Sequence, residues 1–274
     1  MWMRFADAQA CQFPPEFAGV WKGNKFTDLT ITGTQFGPLT FHSRVFNYEC
    51  YLNEGSRYAI RSPEFDFGGL KFRYYICLNL TTSPNNNDVI YYYIGTENDP
   101  NYGNDPVISS AVSPNLTEIC TKTTETPASE YNVLLKQGWE NRLPVGSCPT
   151  HLQAKFMANF QNTTSQNENC TDFHVDGCNA EQRELTFNYT KCELGISSYK
   201  CVTSMQGDDN TTYTTLYTDS VQRQENPYVP YSCLEHMDVN GTLMITHYAG
   251  ICGGVPSESM VLNETGETPA AASQ

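Results

Sequence analysis

Positive charge is scarce in this chain. Lysine and arginine number 16 against 30 aspartates and glutamates, which leaves a formal net charge of −14 over 274 residues. That balance argues against nucleic-acid binding through phosphate contacts, which needs a cationic face. It also disfavours anionic membrane surfaces. Long apolar runs are missing, and none approaches the roughly 20 residues a spanning helix needs. Catalytic signatures are equally absent: there is no Gly-x-Ser-x-Gly elbow, P-loop or dinucleotide fingerprint. No cofactor is implied.

Histidine is rare too, with five copies, His42, His151, His174, His236 and His247. A triad assembled from distant residues would leave no local trace, so these five do not exclude one. Each reads as a surface or packed structural residue. His42 is placed on a polar strand face, and His247 follows the Leu243/Ile245 face. No catalytic residue is assigned.

What the chain does have is cysteine. Eleven occur, at Cys11, Cys50, Cys77, Cys120, Cys148, Cys170, Cys178, Cys192, Cys201, Cys233 and Cys252. That is many for a reduced cytosolic protein and ordinary for an exported one. Asn-x-Ser/Thr acceptors stand at Asn79, Asn115, Asn162, Asn169, Asn188, Asn210, Asn240 and Asn263, none with proline in the middle. Together they predict an extracellular, N-glycosylated protein. Met1 to Ala10 ends Ala8-Gln9-Ala10, like a signal-peptidase site, but lacks an apolar h-region. It reads as the stump of a signal peptide, or alternatively as an ordinary disordered terminus.

The stretch Cys11-Gln-Phe-Pro-Pro-Glu-Phe-Ala-Gly-Val-Trp21 opens the first domain. Proline donates nothing to a ladder, so Pro14-Pro15 predicts a rigid entry ahead of the first strand. A degraded echo follows at Cys148-Pro-Thr-His-Leu-Gln-Ala-Lys-Phe156. Between them, short runs of period two are separated by Gly, Pro, Asn and Asp. Leu39, Phe41, Ser43 and Val45 are read on one face, with Thr40, His42 and Arg44 on the other. Phe72 to Leu78 alternates likewise, and Val89 to Ile94 is apolar on both faces.

Parity puts Cys50 and Cys77 on the polar faces of their strands, which suggests a bridge between them. A Cys11–Cys120 closure would complete the set, one of three pairings that four cysteines allow. Ser129 would cap a short connecting helix from Glu130 to Gln137, stopped by Gly138.

Residues 11–140 are thus predicted as one cysteine-rich β domain and 148–256 as a second, with the boundary near 141–147. Residues 257–274 are read as a flexible tail, whose end, Thr265 to Gln274, looks like a linker to something further. The fold class is mainly β: two tandem antiparallel β domains, barrel- or sandwich-like, with disulfides and a short connecting helix. In the second half, Leu152 to Phe160 and Leu185 to Tyr189 alternate cleanly, which turns the Asn188 acceptor to solvent. Seven cysteines there leave an odd one.

Two resemblances follow. Phe17-Ala-Gly-Val-Trp21 is similar to the Gly-x-Trp opening of lipocalins, whose barrels hold small apolar ligands. A broader likeness, over most of residues 11–252, is to a family of cysteine-rich animal ectodomains without established activity, secreted or membrane-anchored. Its first module resembles Cys-x-Phe-Pro, Gly-x-Trp, paired cysteines and Asn132-Val-Leu-Leu135. Its second begins Cys-Pro and carries Cys178, Leu185–Tyr189 with Cys192, then Cys201 and Tyr231-Ser-Cys233. The chain departs from that pattern at Val202-Thr203-Ser204, where a tryptophan is expected.

Other constellations read blandly. Cys170 to Cys178 contains His174 and Asp176, but its spacing suits a local disulfide better than zinc. Asp99, Asn101, Asn104 and Asp105, and Asp208-Asp209-Asn210, have the composition of turns. Aromatic density remains. Trp21, Tyr91 and Tyr93, with Tyr74, Tyr75 and Tyr92, would line a ligand cavity or fill a core. The expected function is a non-catalytic recognition, adhesion or scaffolding ectodomain with an extracellular protein partner. Lipocalin-like binding of an apolar small molecule is the alternative, and a secreted hydrolase with dispersed residues the third reading.

Overall fold

The computed structural model describes residues 11–26, 28–83, 86–97, 108–122, 127–139, 148–160, 173–178, 182–190, 195–207, 210–218, 230–240, 242–252 and 256–265. They form two compact units, the first running to Glu125 and resuming over Asn132–Gly138, the second made of Thr126–Tyr131 and Trp139 onward. Each unit is an eight-stranded antiparallel barrel.

The first unit comprises β1 (Gly19–Gly23), β2 (Leu29–Ile31), β3 (Gln35–Phe41), β4 (Arg44–Glu54), β5 (Arg57–Arg61), β6 (Phe65–Phe67), β7 (Leu70–Ser83), β8 (Asn86–Ile94), β9 (Ile108–Ser110) and β10 (Asn132–Lys136). A single helical turn, α1 (Leu116–Ile119), is capped by Asn115, whose Oδ1 accepts the Glu118 amide. The ring runs β1-β2-β3-β4-β5-β7-β8-β10 and closes where β10 pairs with β1. Strands β6 and β9 lie outside it, each paired with β7.

The connecting helix expected at 130–137 is instead β10. Asn132 to Leu135 are all buried, and the strand is flanked by β1 and β8. A short apolar run covered on both faces has no period that separates strand from helix, and barrel closure decides it. The tail predicted from residue 257 is likewise corrected, because β18 (Pro256–Glu264) pairs with β11 and β17 and closes the second barrel.

The expected cystine pairing also changes. The bridges are Cys11–Cys50 and Cys77–Cys120, with Cα atoms 5.3 and 5.1 Å apart. The parity argument fails at His42-Ser43, which is a two-residue turn with φ of 48° and 61°, the type I′ geometry of tight hairpins. Phe41 pairs with Arg44 across it. The inward face therefore passes from Leu39 and Phe41 on β3 to Phe46, Tyr48 and Cys50 on β4, while Val45 points out. On β7 the inward residues are Tyr74, Ile76 and Leu78, so Cys77 faces outward with Tyr75. Strand β5 lies between β4 and β7, which sets Cys50 and Cys77 about 10 Å apart, beyond disulfide reach.

The second unit is a simple meander of β11 (Lys155–Phe160), β12 (Phe173–Asp176), β13 (Glu184–Asn188), β14 (Ile196–Gln206), β15 (Thr212–Tyr217), β16 (Tyr231–Val239), β17 (Thr242–Ala249) and β18. Cys148–Cys201 and Cys233–Cys252 hold it, both with Cα atoms 5.2 Å apart. Each of the four bridges closes a loop of 19 to 53 residues, worth about 3–4 kcal/mol in the chain-entropy account. Four disulfides among the described residues point to an oxidising compartment. No described helix is long and apolar enough to cross a membrane.

The two barrels repeat one plan. Each is entered by a cysteine-led segment whose proline starts a 3-10 turn, Pro15–Phe17 in one and Thr150–Leu152 in the other. Phe17 N–H donates to Pro14 and Leu152 N–H to Pro149, so the turns correspond bond for bond. The third residue of each, Phe17 or Leu152, enters the core. Each entry cysteine is bridged to the fourth strand, immediately before a β-bulge. A second bridge in each barrel runs from its sixth strand, β7 or β16, to the segment between its seventh and eighth.

Candidate functional site

Two interiors are candidates. In the first barrel, Trp21 on β1 is fully buried, and its Nε1–H donates to the Phe17 carbonyl at 2.8 Å. Lys136, on the last strand, places Nζ 5.6 Å from the indole centre. Phe26 stacks on Tyr92 at 5.6 Å and meets Phe41 at 6.0 Å, and Phe41 reaches Tyr48 at 6.2 Å. Phe13 adds a contact with Tyr58 at 5.2 Å. These spacings are those of touching rings, so the described interior is filled by the chain itself. Burial pushes the Tyr92 hydroxyl far up, and raises Tyr58 as well, the Glu16 carboxylate adding to it.

Of the residues expected to line a cavity, Trp21, Tyr74 and Tyr92 join this core. Tyr91 and Tyr93 do not. The register Tyr92↔Leu80 turns Ile90, Tyr92 and Ile94 inward and the odd-numbered tyrosines outward. Tyr93 lies under the Lys122 ammonium at 5.9 Å, and Tyr91 reaches Ser83 at 3.5 Å. Because Val89–Ile94 is covered on both faces, its sequence contains no alternation from which to choose. Tyr75 packs outside the barrel with Cys77, Ile119 and Cys120.

The second barrel holds a polar chain inside its plugged end. His151, in the entry turn, places Nε2 2.7 Å from His236 Nδ1, and His236 Nε2 is 2.8 Å from Thr214 Oγ1. Thr214 in turn is 2.9 Å from Ser204 Oγ. His236 is 1% exposed and Thr214 0%, while His151 and Ser204 are exposed, so the chain has a buried middle and both of its ends at solvent. Two neutral arrangements complete it: donors point either from His151 toward Ser204 or the reverse. Burial, with His151 nearby, pulls His236 down to about 3. Burial lowers His151 too, against the raising influence of Asp238.

Both ring nitrogens of His236 are thereby engaged. Its hydroxyl partner is sealed from solvent, and Ser204 lies one hydroxyl further on, so no nucleophile–base contact with an accessible serine exists there. Sequence reasoning misses this chain, because it takes Tyr231-Ser-Cys233 as a cysteine motif and assigns no strand to Tyr231–Val239. The inward alternation of Ser232, Leu234 and His236 was the available signal. The other histidines differ. His247 is buried, its ring 6.4 Å from Phe187 and 5.6 Å from Tyr199. His42 occupies the β3–β4 turn rather than a strand face, 5.5 Å from Tyr74. His174 is exposed on β12.

Cys178 is half-buried and donates its thiol to the Gln153 carbonyl at 3.6 Å. Cys170 and Cys192 lie outside the described residues, as do Asn162, Asn169, Asp99, Asn101, Asn104, Asp105, Asp208 and Asp209. Among the described residues no three His, Cys, Asp or Glu side chains gather as a metal site. Asn115, Asn210, Asn240 and Asn263 are exposed, the middle two in turns with φ of 62° and 56°. Asn188 is half-buried, and its Oδ1 accepts from the Thr190 hydroxyl at 2.6 Å. Asn79 sits mid-strand on β7 with a buried Oδ1.

Compared with known proteins, the chain matches no family model, no curated protein and no solved structure.

Proposed function

We propose that this chain is a secreted or membrane-anchored, N-glycosylated ectodomain that recognises an extracellular protein partner through its outer surfaces, without catalysis. One observation carries the reading: both barrels are stapled by disulfides and their described cores are packed with their own side chains. A filled, cross-linked barrel is a rigid scaffold that leaves its exterior for recognition. The acceptor asparagines at exposed turns accord with passage through the secretory pathway.

Carriage of a small apolar molecule by the first barrel is the second reading. The eight-strand meander with Gly19-Val20-Trp21 on its first strand favours it, while the ring contacts across that interior oppose it. Expression in animal cells tests both. The proposal expects a secreted product whose mobility rises on glycosidase treatment, and saturable binding to cell surfaces that protease pretreatment of the cells removes. Absence of the mobility shift overturns the compartment. Stoichiometric uptake of a fluorescent fatty acid, displaced by unlabelled ligand and lost on widening the Trp21 side chain's neighbours, would favour the carrier instead.

A further inference from the structure

The two entry plugs are built alike but fastened differently. In the first barrel the plug is held by rings, with Phe13 and Phe17 against Tyr58 at 5.2 and 6.3 Å. In the second it is held by imidazole on imidazole, His151 to His236 at 2.7 Å. That contact needs a lone pair on one of the two facing nitrogens. A proton on each would set two N–H groups against one another and break it. We propose that the Cys148–Ala154 plug is an acid-released latch, closed while the His151–His236 pair has a lone pair to share and opened by proton uptake, with Cys148–Cys201 keeping the freed segment tethered.

The surroundings favour this sense. The inward positions next to His236 are Thr212 and Thr214 on β15 and Ile245 on β17, and those of β14 beside Thr214 are Ser204 and Gln206; none carries a charge. On β16 itself, Asp238 favours a charged His151. It therefore supports the first proton, which the hydrogen bond tolerates, and does nothing to relieve the second. Core burial of His236 makes that second proton costly while the plug is closed. Released, both rings meet water and titrate near the ordinary histidine value. Opening should then gain about tenfold per pH unit below that value for each histidine that takes up its proton only on release.

Hydrogen exchange on the intact, disulfide-bonded protein tests the latch, with rates corrected for intrinsic pH dependence. The reporters are the amides of Cys148, Leu152 and Gly177, which donate to Gln182, Pro149 and Ala154; Phe13 and Phe17, which donate to Gly33 and Pro14, serve as the internal control. Between pH 7 and pH 5 the second plug is expected to lose at least tenfold in protection while the first is unchanged. His151→Gln and His236→Gln should each flatten that response, since an amide bonds without titrating. Equal loss in both plugs, or a response surviving both variants, overturns the latch. Should His236→Gln not fold, the exposed-site His151→Gln and the imidazole nitrogen shifts of the unsubstituted protein carry the test. Both rings found protonated at pH 5 while the second plug is still protected rejects the mechanism.

Discussion

Cys50 and Cys201 occupy one and the same place in their barrels. Each is the last residue of the fourth strand before its bulge, and each donates its backbone N–H at 2.8 Å to the residue just ahead of the third strand, Thr34 or Arg183. Each is also bridged to the cysteine that leads the entry plug. The equivalence extends to Cys77 and Cys233 on the sixth strands. It makes the chain a structural duplication, and the differences between copies become the places to look for divided roles.

The first expectation concerns connectivity. Non-reducing peptide mapping should recover Cys11–Cys50, Cys77–Cys120, Cys148–Cys201 and Cys233–Cys252 as separate linked pairs. A Cys50–Cys77 peptide would contradict the inward and outward facing of those two residues. Replacing Cys11 and Cys50 together by serine should cost the first barrel about 3–4 kcal/mol in urea unfolding.

Trp21→Ala removes the largest side chain of the first core together with its bond to Phe17. A loss of about 3–5 kcal/mol is expected, read as a shift in the urea midpoint. Val45→Ala, at a position 60% exposed, should stay within about 0.5 kcal/mol. Similar costs for both would refute the inward placement of Trp21.

Gly177 and Gly33 follow the second strand of their barrels, but only one is crowded. A Cβ on Gly177 would overlap the Leu152 backbone carbonyl, whereas Gly33 has nothing within 4 Å. Gly177→Ala should destabilise the second barrel by about 1–3 kcal/mol or dislodge its plug, and Gly33→Ala should be neutral. Thermal unfolding of the two variants decides it.

Stability should fall as the solution is acidified. His236 has a folded pKa depressed to about 3 by burial and by His151, below the roughly 6.5 of an unfolded histidine. The unfolded chain therefore binds the extra proton between those values, and folding weakens as pH drops through that window, by up to about 1.4 kcal/mol per unit. His236→Gln should flatten the slope between pH 6.5 and 4. An unchanged slope would mean that other groups govern it.

Glycan occupancy should follow exposure. Mass mapping of the protein expressed through the secretory pathway of animal cells is expected to find Asn115, Asn210, Asn240 and Asn263 modified and Asn79 bare, since Asn79 lies mid-strand with its carbonyl oxygen buried. Full occupancy at Asn79 would count against the β7 register.

Some of this was legible in the residues alone. Eleven cysteines set the oxidising compartment, period-two runs set the β class, and the echo of Cys11-x-x-Pro at Cys148-Pro set the duplication. All three are composition or local repetition, which a chain displays before it folds. The pairing of Cys50, the inward turn of Tyr92 instead of Tyr91 and Tyr93, and the strand identity of Asn132–Lys136 were decided by closure of the ring. Closure fixes register, and register reverses faces at every tight turn such as His42-Ser43. The His151–His236–Thr214 chain needed still more: an entry turn and two strands, from separate stretches of sequence, brought to one end of a barrel. No spacing along the chain encodes that meeting.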